Sequence, residues 1–260
     1  RAMQRGDHAA AQPAYQRAVV ADPHSADAVL KLALAYERGG RTAEAIETYR
    51  QVVALKPGYV AATALLGDAL RRAGETEAAR EAFARPYIDQ QELANWAWLH
   101  LDPTPPTTLD VGDGLDIGLV GGMYPAEEQQ GRRVRWTGAR AAVRLHGSEQ
   151  GTLLRLHLAA PRPGGESVPV QICAGDRCQS VNAGAAWRTY EMLVPRRCPA
   201  AGATCDTALE VTLRSPTFVP GAEDTAGRPS DPAAQRPLGV LVDWATAEPL
   251  GEHGGEKQTD

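Results

Sequence analysis

At 260 residues, with 43% apolar and 23% charged side chains, the chain has an ordinary globular composition and room for one large domain or two of usual size. Its net charge of −5 argues against the basic footprint that nucleic-acid binding requires. No apolar run reaches the length of about 18 residues that a membrane-spanning helix needs. The chain opens on Arg1 rather than Met, and a signal sequence or membrane region upstream is the corresponding expectation.

The first third is periodic. Gly6, Gly40 and Gly74 are spaced by 34 residues, as are Ala11, Ala45 and Ala79, and Tyr15, Tyr49 and Phe83; Pro23 and Pro57 keep the same step. Four classes of position sharing one period mark a repeat. Each unit reads as a helical hairpin. Val29, Leu32, Ala33 and Tyr36 fall on one face of a first helix. "RGGR" at 38–41 ends that helix, because glycine tolerates the left-handed turn at a helix terminus. "TAEAIETYRQVVALKP" at 42–57 supplies the second helix, with Thr42 as its N-cap and Pro57 beyond its end. The small residue at 11, 45 and 79 lets two helices approach, and the aromatic at 15, 49 and 83 fills the gap between them. Pro86 must end the last of these helices early.

This pattern resembles the tetratricopeptide repeat family over residues 1–85, with Leu32, Ala33, Tyr36, Ala45, Tyr49 and Pro57 at its signature positions. The resemblance implies a concave groove for a partner peptide lined by Asp27, Leu30, Leu34, Glu37, Ala61, Ala64, Asp68 and Arg71. A solvated or intramolecular face is the competing reading. Two and a half repeats leave the leading end, at Ala2 and Met3, in need of cover by upstream repeats or another molecule. Protein partners are therefore expected, other copies of the chain included, and head-to-tail contacts of that kind can build a filament.

Helical spacing persists to about Leu99, after which "DPTPPTT" at 102–108 reads as extended and exposed. The boundaries this suggests are repeats over 1–90, a linker over 91–110, a strand-rich domain over 111–249 and a polar tail over 250–260. From residue 114 the period becomes two. "TLLRLHLAA" sets Leu154, Leu156 and Leu158 against Arg155 and His157, and "ALEVTLR" sets Leu209, Val211 and Leu213 against Glu210 and Thr212. "LGVLVDW" places Leu238, Val240, Val242 and Trp244 on one face, and "VPVQICA" and "WRTYEMLV" behave similarly. Short strands separated by Gly, Pro and Asp turns, with no helix between them, predict an antiparallel sandwich of jelly-roll type. The expected fold class is thus α + β multidomain, helical hairpins followed by a β-sandwich.

Along this second domain, "GGMYPAEE", "RVRWT", Arg162-Pro163, "FVP" at 218–220 and "SDPAAQRPLGVLVD" at 230–243 follow an order that resembles a family over residues 110–249. It is the sandwich domain at the extracytoplasmic C-terminus of some bacterial membrane glycosyltransferases and of related repeat proteins. The resemblance implies a carbohydrate-binding-like, non-catalytic module, from which the cysteine pairs are a departure. The pairs are Cys173 with Cys178 and Cys198 with Cys205; they lack the two-residue spacing and the nearby histidine of a zinc site. Two local disulfides, rather than free thiols, are the expectation. Each closes a short loop and adds about 2 kcal/mol in chain-entropy terms, and their presence points outside the cytoplasm.

Residues 121–145 concentrate charge. Arg133 and Arg135 alternate with Val134 and Trp136, so the arginines share one strand face and the apolar pair the other. Trp136 reads as core, and Glu127 with Arg135 as a surface pair across a turn, of ~0–1 kcal/mol. Glu127, Arg135, Trp187 and Tyr190 are the candidate glycan contacts; the two rings can stack on a sugar or lie in the core. Glu127 and Glu128 would point to opposite faces of a strand and make a poor acid–base couple. Asp110, Asp113 and Asp116 lack calcium-loop spacing and read as turn formers. His157 reads as surface. No nucleophile elbow, zinc-protease helix, P-loop or dinucleotide fingerprint is found, so no catalytic residue, metal or cofactor is expected. The composite expectation is a non-catalytic extracellular or cell-surface interaction protein; the alternative is the soluble extracytoplasmic end of a membrane glycosyltransferase.

Overall fold

The computed structural model describes residues 8–195, 207–220 and 236–250, and divides between Pro103 and Thr104 into a helical unit and a strand unit. The expectations at Ala2 and Met3 and for the tail beyond Leu250 lie outside the described residues.

In the helical unit, α1 (His8–Ala21), α2 (Ala26–Arg38), α3 (Thr42–Leu55), α4 (Val60–Arg72) and α5 (Thr76–Phe83) pack as antiparallel neighbours in chain order. The periodic small residues Ala11, Ala45 and Ala79 are all buried, and Tyr49 and Phe83 fill the space they open. Ser25 caps α2, its Oγ accepting from the Ala28 N–H at 3.3 Å. Gly40 and Gly74 take positive φ at the hairpin turns, where a side chain would strain the backbone. Thr42, expected as the N-cap of α3, is instead its first residue; Arg41 occupies the cap, without a side-chain capping bond.

Beyond α5 the structure departs from the expected linker over 91–110. α6 (Gln90–His100) starts from Asp89, whose carboxylate accepts from the Glu92 N–H at 2.8 Å, and packs on α4. Leu93, Ala94 and Ala97 are its buried residues, spaced as Leu66, Gly67 and Leu70 are on α4 but displaced by 27 positions instead of 34. α5 has 8 residues where α3 has 14, six fewer. α6 begins 30 residues after α4 instead of 34, and packs on α4 as a next first helix would. Gln90 Nε2 donates to the Phe83 carbonyl at 3.0 Å, satisfying the shortened terminus. β1, described next, occupies the end of the same stretch.

The strand unit contains β1 (Thr108–Asp110), β2 (Val120–Met123), β3 (Glu127–Gln129), β4 (Arg132–His146), β5 (Thr152–Ala159), β6 (Val168–Ala174), β7 (Arg177–Ala183), β8 (Arg188–Val194), β9 (Ala208–Arg214) and β10 (Leu241–Pro249). Hydrogen bonding runs β7-β6-β9-β4-β10-β5-β8, with β1 against β10 and β2 and β3 against β4. The strand pairings are antiparallel, as expected of a jelly-roll-like sandwich. β4 changes partner along its length: Arg135 and Trp136 pair with β10, and Arg140 to His146 with β9. Val143, Leu156, Ile172, Val211 and Ala245, drawn from strands on both sides of that crossover, meet in one core.

β10 does not hold a single alternation. Leu241 and Val242 pair with β4, Trp244 onward pairs with β1, and the register against β5 slips between Val242 and Trp244. Asp243 is the extra residue of a β-bulge. The face predicted to hold Leu238, Val240, Val242 and Trp244 is therefore broken: Val240 and Val242 enter the main core, Leu238 joins a smaller cluster with Val134, Trp136 and Leu241, and Trp244 turns to the other face.

On the β6–β7 hairpin, Cys173 and Cys178 lie directly opposite each other and are disulfide-bonded. This bridge is one of the two disulfides expected. The other expected pair, Cys198 and Cys205, lies outside the described residues.

A Cβ placed at Gly67 would land within the Phe83 ring, which is itself buried. Gly67→Ala is expected to lower the stability of the repeat unit by about 1–3 kcal/mol in chemical denaturation, and Phe83→Leu added to it should recover part of that loss.

Candidate functional site

The residues expected on the repeat face are brought together on α2 and α4, and several are committed to one another. Leu30 and Ala64 are buried; Leu34 and Ala61 are half-buried. Asp27 is exposed and accepts a hydrogen bond from Tyr59 Oη at 3.0 Å. Burial, reinforced by this acceptor, pushes the Tyr59 phenol upward. Glu37 accepts from Tyr49 Oη at 2.5 Å and pairs with Arg72. Arg72 Nε also donates to Asp68 Oδ2 at 3.0 Å, and Arg71 Nη2 to Asp68 Oδ1 at 2.5 Å. Arg72 was not among the expected groove residues, yet it ties the acids of α2 and α4 together. Burial alone would depress its pKa, but Glu37 and Asp68 outweigh burial and the net shift is upward.

The candidates on the sandwich separate. Arg135 is not a surface partner of Glu127. It is 4% exposed and grips Asp116, which is fully buried, through Nε–Oδ2 at 2.5 Å and Nη2–Oδ1 at 2.8 Å. Its third bond runs from Nη1 to the Tyr124 carbonyl at 3.0 Å, and Asp116 also accepts from the Gly112 N–H at 2.8 Å. The alternation correctly puts Arg135 opposite Val134, but the 110–119 loop brings a buried carboxylate to that face. Glu127 accepts from Trp136 Nε1 at 2.7 Å and from Arg236 Nη2 at 2.8 Å, which supplies the indole of Trp136 with the partner a buried tryptophan needs. Asp113 accepts from the Leu115 N–H at 2.7 Å, the local turn its sequence suggests.

Trp187 and Tyr190 are not neighbours on a common face. Tyr190 packs against the main core and donates to the Asn182 carbonyl at 3.0 Å. Trp187 is half-buried beside His157, at 5.3 Å between ring centroids. His157 is outward-facing, as its alternation predicts, but it is covered. Trp244 stacks on it at 5.2 Å, and its Nδ1 lies 2.9 Å from Asp243 Oδ2. Arg132 Nη1 donates to the same oxygen at 2.6 Å, with its guanidinium 5.9 Å from the Trp187 ring. Sequence reasoning missed this group, whose one signal is an aspartate interrupting the apolar run in "VLVDW".

Two consequences can be measured. Burial first, and the negative charge of Glu37 second, hold the Tyr49 phenol far above the ordinary tyrosine range. In the unfolded chain it titrates near a pH of about 10, so its stabilising contribution is complete below that pH and is lost as pH rises further. Stability above pH ~10 should fall more steeply in the native protein than in Tyr49→Phe, read from denaturation at stepped pH. In the sandwich, Asp116→Ala strands a buried arginine and should cost about 3–5 kcal/mol, whereas the double change Asp116→Leu with Arg135→Met should cost clearly less.

Residues 1–60 and 38–97 match two family models described as tetratricopeptide repeat. No curated protein matches the chain. Among solved structures, a crystal structure of MamA is 32% identical over 32% of this chain and 49% of its own, with a TM-score of 0.31. The chain spans about half the length of the MamA chains it matches. A family 35 carbohydrate-binding module from Clostridium thermocellum is 8% identical over 54% of this chain and 96% of its own, with a TM-score of 0.32. A carbohydrate-binding module, CBM36, solved with calcium and xylotriose, is 12% identical over 55% and 99%, with a TM-score of 0.31. With the helical hairpins, the shared period and both family models in agreement, the N-terminal unit is a tetratricopeptide-repeat array.

Proposed function

We propose that the protein is a non-catalytic interaction protein. Its repeat unit takes up a protein segment on the face of α2 and α4, and its sandwich contacts glycan. Tetratricopeptide repeats support the protein-binding half. The observation that carries it is the state of that face: half-buried Leu34 and Ala61, lying over buried Leu30 and Ala64, beside a hydrogen-bonded array of Glu37, Arg72, Asp68 and Arg71. Side chains already held by one another lose little freedom when a partner arrives. The same reading extends to association between copies of the chain, head to tail and into a filament, and to an extracytoplasmic setting suggested by the paired cysteines.

Display of a random-peptide library against the whole chain should select binders whose affinity, measured by fluorescence anisotropy, falls about tenfold or more in Ala61→Arg. The thermal unfolding of that half-buried variant should stay near the wild-type curve. Selected peptides indifferent to Ala61→Arg would remove the face from consideration. Sedimentation over a wide concentration range tests self-association: mass should rise with concentration, and a monomer throughout would dismiss the assembly reading.

A further inference from the structure

We propose that Trp187, His157, Trp244, Arg132 and Asp243 form a binding site for an uncharged saccharide on the outer side of the sheet made by β10, β5 and β8. This rests on the glycan-contacting reading of the sandwich and gives it a place and a ligand class.

The bulge at Asp243 builds the site. Because one extra residue enters β10, Trp244 leaves the core side and stands opposite His157 on β5. Trp187, just before β8, meets His157 with ring centroids 5.3 Å apart and planes tilted by 39°, so the imidazole is in contact with both indoles, stacked on Trp244 and tilted to Trp187. Both tryptophans are half-buried, which leaves part of each indole open to solvent. The aliphatic face of a pyranose pairs with such surface by releasing water from it.

Polar groups are available at the same place. The carboxylate facing His157 Nδ1 requires the ring proton on that nitrogen, so in the neutral ring Nε2 carries a lone pair. Neither Nε2 nor the indole N–H groups of Trp187 and Trp244 find a partner among the described residues. One acceptor and two donors beside an apolar shelf suit the alternating hydroxyls of a sugar. The charges cancel: the Asp243 carboxylate is neutralised by Arg132 at 2.6 Å, so nothing is left over to favour a uronate or a phosphosugar over a neutral ring. The shelf is also held still. Asp243 is 6% exposed and fixes both Arg132 and His157, which lowers the ordering needed on binding.

The test is calorimetric and tryptophan-fluorescence titration of the whole chain with cellotetraose, xylotetraose, mannotetraose and laminaritetraose, with tetragalacturonate as the charged probe. At least one neutral tetrasaccharide should bind. Its affinity should drop about tenfold or more in Trp187→Ala and in Trp244→Ala and remain unchanged in Tyr190→Phe. His157→Phe keeps a ring but removes the Nε2 lone pair and one partner of the Asp243 carboxylate, and should weaken binding. Trp187→Phe and Trp244→Phe keep a ring and leave Asp243 with both partners. They should weaken binding with thermal unfolding near the wild-type curve, which covers the case of a variant that does not fold. A neutral tetrasaccharide that binds equally well to the tryptophan variants and to His157→Phe would overturn this site and leave glycan contact standing elsewhere. Binding of tetragalacturonate alone would overturn the ligand class. No binding by any of the five would overturn the site and the glycan-contacting reading together.

Discussion

The strand unit depends on one inserted residue. Asp243 breaks the alternation of β10 at the point where that strand exchanges β4 for β1 as its neighbour. A strand with perfect alternation would have sent Trp244 toward the core and kept a single register. The bulge lets one strand serve two neighbours, and it converts a would-be core tryptophan into part of an outward-facing group. Its carboxylate, nearly enclosed, is compensated by Arg132 and His157, as a buried charge must be. The Asp116–Arg135 pair does comparable service on the other strand of the junction, fastening the 110–119 loop to β4 with two charge-assisted hydrogen bonds between guanidinium and carboxylate.

The helical unit obeys a different constraint, that of phase. Helices in a repeat array bury a narrow stripe, and any change of length must preserve which stripe faces inward. α5 is six residues shorter than α3, and α6 follows it onto α4 with Leu93, Ala94 and Ala97 buried. Gly67 shows how tight that packing is, since the Phe83 ring occupies the space a side chain would need.

The repeats were legible because similar residues recur at fixed distances: Ala45 and Ala79, Tyr49 and Phe83 report the same environment twice. The helical spacing of α6 was legible as far as Leu99, but the stretch was assigned to a linker because α6 begins 30 residues after α4 instead of 34 and so falls outside the period that exposed the others. Strand alternation gave the sandwich, including the inward set on β5. It could not say which faces are later covered. Arg135 falls on the side that alternation assigns it, yet it is buried because a loop some 20 residues earlier in the chain folds over it. Trp244 was misplaced because a bulge has no period. Trp187 and Tyr190 are close in sequence, but Trp187 precedes the strand and escapes the alternation that turns Tyr190 inward. For Arg135 the missing information is a contact between separate segments, and for Trp244 and Trp187 it is where a strand is interrupted or begins.

The hairpin joining β6 and β7 carries a practical corollary. Arg177 lies between Cys173 and Cys178, and the sulfur–sulfur bond spans it. A protease that cuts after arginine would sever the peptide there without separating the two halves, which would stay joined through sulfur. In mass spectrometry of an unreduced digest they would travel as one ion, and a thiol reductant would split that ion into two.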